Sequence, residues 1–260
     1  MLEYLCNSIK SHESVLIALS GGVDSSVVAA LAQRALGDNA VAVTVDNGLL
    51  GIGDLERASN VAAEIGIRHL LINANPLSLH EVRRNDPERC YYCKKFIFKR
   101  LKSIADEKHL RVVMDGTNAS DLKEYRPGIK ALQEFGTVSP LLHLTKEEIR
   151  ELARELGLQV ANAPSAACLL TRFPYHTDVT PEKLERVRKA EAVLKSFGFA
   201  QVRVRDHDGI ARIEVEKKDQ THVLEQAGSL SEILQKLGFT YVTLDLQGFQ
   251  SGSMDRGKDR

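Results

Sequence analysis

Four short apolar runs, Ser14–Leu19, Ala40–Val45, His69–Asn73 and Arg111–Met114, are separated by longer stretches in which apolar residues recur at helical spacing. The runs are nearly continuous in hydrophobicity instead of alternating with polar residues, so each strand must be covered on both faces. A chain that alternates such strands with helices has one economical solution, a parallel sheet with helices packed on either side. This predicts an α/β fold with a doubly wound parallel sheet over residues 1–165. A helix from Thr145, with Glu148 at capping-box spacing, runs to Gly157 within it. From Pro181 the grammar changes to helix (Glu182–Phe197), two strands (Gln201–Arg205 and Ala211–Glu216), helix (Gln220–Leu237) and strand (Tyr241–Leu246), which predicts a second, smaller α+β domain over residues 179–250. At about 70 residues this domain is near the lower limit of what folds alone, and it is expected to pack on the first. The irregular, proline-containing stretch between them reads as a linker or active-site loop at 166–178, and residues 251–260 as a mobile polar tail.

The 35 Lys and Arg residues balance 35 Asp and Glu, for a formal net charge of zero. A duplex or tRNA binder carries an overall basic field, so a nucleic-acid partner is disfavoured. No apolar run approaches the ~18 residues of a membrane span, and Met1–His12 has neither a basic region nor an apolar core of the secretory type, so neither a membrane nor export is expected. Only Cys6, Cys90, Cys93 and Cys168 are present among 260 residues, far below the density of a disulfide scaffold. A reducing cytoplasm is the expected compartment, where clustered thiols serve metal or sulfur chemistry.

The sharpest local signal is Ser20-Gly21-Gly22-Val23-Asp24-Ser25-Ser26, between an apolar strand and the helix opening at Val23. The glycines let the backbone approach a ligand closely, and free N–H groups at the helix start make an anion site suited to a pyrophosphate. Ser20, Ser25 and Ser26 add hydroxyls, and Asp24 offers a carboxylate to Mg²⁺. The G-x-x-x-x-G-K-[ST] spacing is absent and no lysine follows, so γ-phosphate transfer is not encoded. The bland alternative is a serine-capped strand-to-helix turn. A second signal is Arg89-Cys90-Tyr91-Tyr92-Cys93-Lys94 at the head of a helix, where two thiols one turn apart converge and the helix terminus with Arg89 and Lys94 favours thiolate. Closed structural zinc needs four ligands, and no second C-x-x-C exists. Cys90, Cys93 and Cys168 together suit an iron-sulfur cluster with one open iron better. Alternatively, Cys90 and Cys93 are inert core thiols; Cys6 is a small core residue.

The Ser20–Ser26 segment resembles the PP-loop of the ATP pyrophosphatase superfamily, whose members cleave ATP to AMP and pyrophosphate while adenylating a substrate. The resemblance implies that Asp46, in Val45-Asp46-Asn47-Gly48, and Gly116 and Thr117, in Asp115-Gly116-Thr117-Asn118, contact the nucleotide; each segment is otherwise a simple turn. Pro164-Ser165-Ala166-Ala167-Cys168-Leu169-Leu170-Thr171-Arg172-Phe173-Pro174-Tyr175 narrows the match. With Tyr125-Arg126-Pro127-Gly128, Ser139-Pro140-Leu141, Val202-Arg203-Val204-Arg205, Ile210–Val215 and Gly248–Met254, it is similar to the LarE-type ATP-dependent sulfur transferases of nickel-pincer cofactor synthesis, over nearly the whole chain. One departure is Asp46-Asn47-Gly48, which is closer to GMP synthetase than to that family's Asp-Ser-Pro.

The resemblance implies adenylation of a carboxylate of a pyridinium dicarboxylate mononucleotide and replacement of oxygen by sulfur, with ATP and Mg²⁺. Arg126 joins Asp46, Gly116 and Thr117 as a nucleotide contact. It implies a [4Fe-4S] cluster on Cys90, Cys93 and Cys168 carrying a sulfide for transfer, with sacrifice of the Cys168 sulfur as the alternative. Sulfide or another sulfur donor, and a homo-oligomeric assembly, are expected. Arg203 and Arg205, two apart on a strand, project from one face and are expected to clamp the substrate phosphate; without the resemblance they read as a solvated strand face. Glu191 and Glu214 are possible oxygen ligands for a divalent metal or simply charged surface, and His176 and His207 have no metal spacing. Two rival readings are a tRNA-thiolating PP-loop enzyme, which predicts a basic surface, and a synthetase using ammonia, which leaves the cysteines unexplained.

Overall fold

The computed structural model describes residues 1–123, 127–163 and 167–250; Arg126, residues 164–166 and the tail lie outside the described residues. The helices are α1 (Leu2–Lys10), α2 (Val23–Leu36), α3 (Asp54–Ile65), α4 (His80–Arg83), α5 (Arg89–Glu107), α6 (Gly128–Glu134), α7 (Lys146–Glu155), α8 (Pro181–Ser196), α9 (Gln220–Glu225) and α10 (Ala227–Lys236). The strands are β1 (Val15–Ala18), β2 (Ala40–Asp46), β3 (Arg68–Asn73), β4 (Val112–Met114), β5 (Val202–His207), β6 (Ile210–Val215) and β7 (Tyr241–Leu244). The chain divides into two compact units, Met1–Val82 with Glu88–Ala166, and Arg83–Pro87 with Ala167–Arg260.

In the first unit β1 to β4 form a parallel sheet in the order β3-β2-β1-β4. Successive residues of a strand face opposite sides, and here both sides are apolar. Val15, Ile17, Ala40 and Ala42 bury with residues of α1, α2, α3 and α7. Leu16, Val41, Val43 and Val113 bury with α5 and α6 on the other side. This is the doubly wound sheet that the continuous apolar runs predict. Because β1 is followed by a helix on one face and β4 is preceded by one on the other, the chain changes direction between these neighbours, the topological switch point beyond whose strand ends open α/β sheets bind ligands. The capping box at Thr145 forms, with the Thr145 hydroxyl accepting from the Glu148 amide and the Glu148 carboxylate accepting from the Thr145 amide.

Thr44 on β2 donates its hydroxyl to the Leu19 carbonyl (2.8 Å) and lies 2.8 Å from His69 Nε2 on β3. Its hydrogen being used, Thr44 accepts from His69, which places the imidazole proton on Nε2. Burial holds the His69 pKa below the ordinary 6.5. Between 6.5 and that lower value the unfolded chain binds the proton and the folded chain does not, so stability falls as pH drops through this window. His207 shifts in the same direction, chiefly through burial. The expected result is a shallower loss of denaturant midpoint below pH 6.5 in His69→Gln than in the parent; identical pH profiles would refute it.

The second unit has a three-stranded sheet ordered β5-β6-β7, with β5 and β6 antiparallel and β6 and β7 parallel. Val202, Val204, Ala211, Ile213 and Val215 are buried, as are Leu184, Val187, Ala190 and Leu194 of α8 and Leu230 and Leu234 of α10. The β5–β6 hairpin turns on Asp208 (φ 53°) and Gly209 (φ 90°), the Asp-Gly pair that a two-residue turn with positive φ favours. The single helix expected over Gln220–Leu237 is broken at Gln226, whose φ of −96° and ψ of 7° leave the helical range, beside Gly228 with its low helix propensity. Arg83–Pro87 joins this unit because the buried Asn85 amide donates to the Phe173 and Pro174 carbonyls (3.0 and 2.9 Å) and the Val179 amide to Arg83 (2.8 Å).

Candidate active site

The Ser20–Ser26 turn leaves β1 and enters α2 at Gly22, an N-cap position without a side-chain cap. The first-turn amides of α2 are thus left to a ligand, with the positive end of the helix dipole behind them. The serines hold the shape of the turn. The Ser20 amide donates to Ser25 Oγ (3.1 Å), and the Ser25 and Ser26 hydroxyls both donate to the Gly22 carbonyl (3.2 and 2.8 Å). Gly21 has φ +73°, and a Cβ there would lie 2.8 Å from the Ala58 amide nitrogen of α3. Arg57, one residue earlier, donates from Nε to the Gly21 carbonyl (3.2 Å) and pairs with Asp54 (2.8 Å). α3 therefore buttresses the loop from behind, through an arginine that no sequence signal singles out.

Asp24 is met by Lys146, whose ammonium donates to Asp24 Oδ1 at 2.7 Å and also to Oδ2 across a sequence separation of 122. No lysine follows the loop in sequence, yet the tertiary structure brings one to it. Its signal was indirect: Lys146 is the first helical residue after the Thr145 capping box. The Asp24 carboxylate is about a quarter exposed, and its hard oxygens suit Mg²⁺ in kind, provided Lys146 shares or releases it.

The carboxyl ends of β2 and β4 lie at the same sheet edge. Asp46 accepts from the Gly48 amide (3.1 Å) and Asn47 from the Leu49 amide (2.9 Å), which folds this end into a tight turn. Beyond β4, buried Asp115 accepts from Thr117 Oγ1 (2.5 Å) and Ser139 Oγ (2.6 Å). A Cβ on Gly116 would stand 2.6 Å from the Ser25 nitrogen and 2.8 Å from the Asp24 carbonyl carbon, so β4's end is pressed against the loop's helix. The sequence-predicted Ser20–Ser26, Gly116 and Thr117 thus lie together, with Asp46 at the same edge. Lys94 Nζ is 4.0 Å from Asp115 Oδ2, and a Cβ on Gly128 would lie 2.8 Å from the Lys94 stem. Lys94 adjoins Cys93, so α5 links the strand end to the C-x-x-C. There Arg89 is buried, Cys90 exposed and Cys93 intermediate, all in the opening turns of α5. None of the four cysteines is in a disulfide.

In the second unit Cys168 is exposed at the cap of a 3₁₀ turn, Leu169–Arg172. The two arginines of β5 differ. Arg205 is 1% exposed and forks onto Glu214 through Nε (3.1 Å) and Nη2 (3.0 Å). Arg203 stacks on Phe249, with its guanidinium 4.3 Å from the ring centroid, and donates to the Gln250 carbonyl (3.2 Å). Burial, and then the cations of Arg172 and Arg205, lower the Arg203 pKa to about 10. Glu191 is occupied by Arg172 (2.6 Å) and the Val204 amide (3.1 Å), and Glu214 also by Arg212 (3.3 Å); neither is a surface charge. For a cluster, three thiols with none in a disulfide are right in kind and number. Cys90 and Cys93 belong to one unit and Cys168 to the other, and among the described residues no group of three His, Cys, Asp or Glu side chains is gathered for a metal. No helix among the described residues is long and apolar enough to cross a membrane.

Residues 2–227 match the NAD synthase family. The chain is 38% identical to pyridinium-3,5-bisthiocarboxylic acid mononucleotide synthase of Lactiplantibacillus plantarum, over 96% of this chain and 92% of that protein. It is 41% identical to an uncharacterized protein of Synechocystis sp., over 98% and 97%. It is also 35% identical to a subunit of the glutamine-hydrolyzing GMP synthase of Methanopyrus kandleri, over 75% and 66%, in keeping with the Asp46-Asn47-Gly48 turn. An uncapped PP-loop at the switch point of a doubly wound sheet, and identity to the bisthiocarboxylic acid mononucleotide synthase along nearly the whole chain, place this protein in the NAD synthase-like PP-loop family, in its LarE-type branch.

Proposed function

We propose that the chain inserts sulfur into an adenylated carboxylate of a pyridinium dicarboxylate mononucleotide, with AMP and pyrophosphate as the products of ATP. As a LarE-type PP-loop protein it is an ATP-dependent sulfurtransferase; the acceptor and the route of sulfur are our reading. What carries it is the coexistence of an uncapped anion-binding turn with thiols at Cys90, Cys93 and Cys168 in one chain similar to that synthase over nearly its full length. A carboxylate is a poor electrophile and repels an anionic sulfur nucleophile. Adenylation replaces it with a neutral acyl centre whose leaving group is AMP. The α2 amides, held in place before the reaction begins, would stabilise the departing pyrophosphate, and the Lys146 ammonium would add its charge on sharing Asp24 with the metal. Asp24 would hold Mg²⁺, which supplies charge neutralisation of the phosphates. Asp46, Gly116, Thr117 and Arg126 would contact the nucleotide.

Arg203 is the better of the two arginines for the acceptor's phosphate, since Arg205 is committed to Glu214. A charge-assisted contact of roughly 1.5 to 3 kcal/mol means that Arg203→Ala should raise the acceptor KM about tenfold or more, with the KM for ATP unchanged. An equal loss of ATP affinity would reject the assignment. Cys90, Cys93 and Cys168 would hold a [4Fe-4S] cluster, which would supply a sulfide when bound. A second route is favoured by the position of Cys168, exposed and the sole cysteine of its unit. Its thiolate attacks the acyl adenylate, forming C–S as C–O to AMP breaks. Loss of the Cα proton then expels the thiocarboxylate from Cβ and leaves dehydroalanine.

Incubation with ATP and the acceptor tests both levels. AMP, pyrophosphate and a sulfur-containing product are expected, whereas ADP with phosphate would overturn the reading. Intact mass after turnover then separates the routes: loss of the elements of H₂S marks sacrifice of Cys168, and an unchanged mass marks a sulfur source outside the chain's own thiols.

A further inference from the structure

The exposed Cys168 is followed by a set of contacts that run directly into the most buried charges of its unit. Thr171 donates to the Cys168 carbonyl twice, from its hydroxyl (2.7 Å) and from its amide (3.0 Å). The same hydroxyl accepts from Arg172 Nη1 (2.7 Å), and the Thr171 carbonyl accepts from Arg205 Nη1. Arg172 is 7% exposed in its side chain and bound to Glu191 at 9%; Arg205, at 1%, is bound to Glu214 at 0%. Arg172, the last residue of the turn that Cys168 caps, and Arg205, from β5, thus both bond Thr171, each anchored by a carboxylate on the α8 or β6 side.

We propose that Thr171 is a positioning residue for Cys168, transmitting the rigidity of the Arg172–Glu191 and Arg205–Glu214 pairs to the backbone that carries the thiol. Leu169, Leu170 and Arg172 of the turn are buried, but Cys168 at its head is exposed, and an exposed loop residue without such ties samples many conformers on the nanosecond to microsecond scale. Buried ion pairs contribute little net stability and serve better to specify geometry. A thiol that must meet an acyl centre needs that geometry, because misplacement of the reacting atoms by about 1 Å costs on the order of a hundredfold in rate. The functional part of this inference rests on the sulfur-transfer reading above; the positional part does not.

The experiment compares the full chain with Thr171→Val, Thr171→Ala and Thr171→Ser by amide hydrogen exchange and by single-turnover product analysis. In Thr171→Val the exchange of amides at 168–173 should accelerate about fivefold or more, since the hydroxyl's bonds to the Cys168 carbonyl and from Arg172 are both lost, with the rest of the second unit unchanged. Sulfur-containing product per AMP formed should fall about tenfold while AMP formation stays within about twofold. Thr171→Ala should reproduce both effects without the added methyl group, and Thr171→Ser, which keeps the hydroxyl, should restore both. Unchanged exchange in the Val and Ala variants, faster exchange with an unaltered product-to-AMP ratio, or failure of the Ser variant to restore the pattern would each overturn the proposal. Absence of any sulfur-containing product from the parent protein would instead count against the sulfur-transfer reading, and the exchange comparison alone would then decide the placement of Cys168.

Discussion

Gly116→Ala is expected to reduce ATP-dependent pyrophosphate release by about a hundredfold or more while leaving the protein folded. The added Cβ would stand 2.6 Å from the Ser25 nitrogen, 2.8 Å from the Asp24 carbonyl carbon and 3.0 Å from the Asp24 Cβ. Two of these are backbone atoms in the first turn of α2 and cannot swing aside as a flexible side-chain end would. Either the end of β4 or the start of α2 must move by several tenths of an ångström. The amides that would hold pyrophosphate and the Asp24 carboxylate move with it, and preorganised electrostatic sites lose rate steeply with such displacements. Gly228→Ala is the control, since a Cβ there meets nothing within 4 Å; its activity should match the parent. Circular dichroism and pyrophosphate release on the same samples check the expectation. A fully active Gly116→Ala protein would mean that ATP is not bound at these strand ends.

Arg205→Met should be the most destabilising of the single substitutions proposed. It removes both Nε and Nη2 donors from Glu214, a carboxylate that is 0% exposed and that Arg212 also approaches at 3.3 Å. Stranding one member of a buried pair typically costs about 3 to 5 kcal/mol, whereas replacing both members with apolar groups of similar volume is often neutral or better. The melting temperature of the second unit should therefore fall by on the order of 10 °C or more. Arg205→Met combined with Glu214→Leu should recover most of the loss, because no uncompensated charge then remains in the interior. A single variant that melts with the parent would show that Glu214 is not dependent on this guanidinium. Arg203→Ala, by contrast, should barely shift the melting temperature, since Arg203 stacks on Phe249 and donates to a carbonyl without occupying a buried carboxylate.

Features built from neighbouring residues are legible in the order of the amino acids alone. The four strands follow from continuous apolar runs, because only burial on both faces accommodates them. The tight turn into α2 is spelled by Ser20-Gly21-Gly22, and the capping box by Thr145 and Glu148, since these hydrogen bonds close within a few residues. The break at Gln226 and the extension of β5 to His207 are less legible, as helix and strand limits depend on what packs beside them.

What joins distant segments has no such signature. The sequence by itself determined the doubly wound class, the glycine- and serine-rich turn into α2 and the presence of thiols in two separate segments, because periodicity and short-range bonding are written in adjacent letters; that this turn leaves α2 without a side-chain cap is seen only in the fold. Only the tertiary structure decided that Lys146 neutralises Asp24, that Arg57 holds the Gly21 carbonyl, and that Gly116 must lack a side chain to lie against Ser25. It also decided that Arg203 and Arg205, indistinguishable as alternate residues of one strand, have different duties, one anchored on Glu214 and the other stacked on an aromatic ring. Such pairings are set by how crossovers and sheet register bring remote residues within about 3 Å of each other, and a hydrogen bond or ion pair at that distance depends on coordinates that no local pattern encodes.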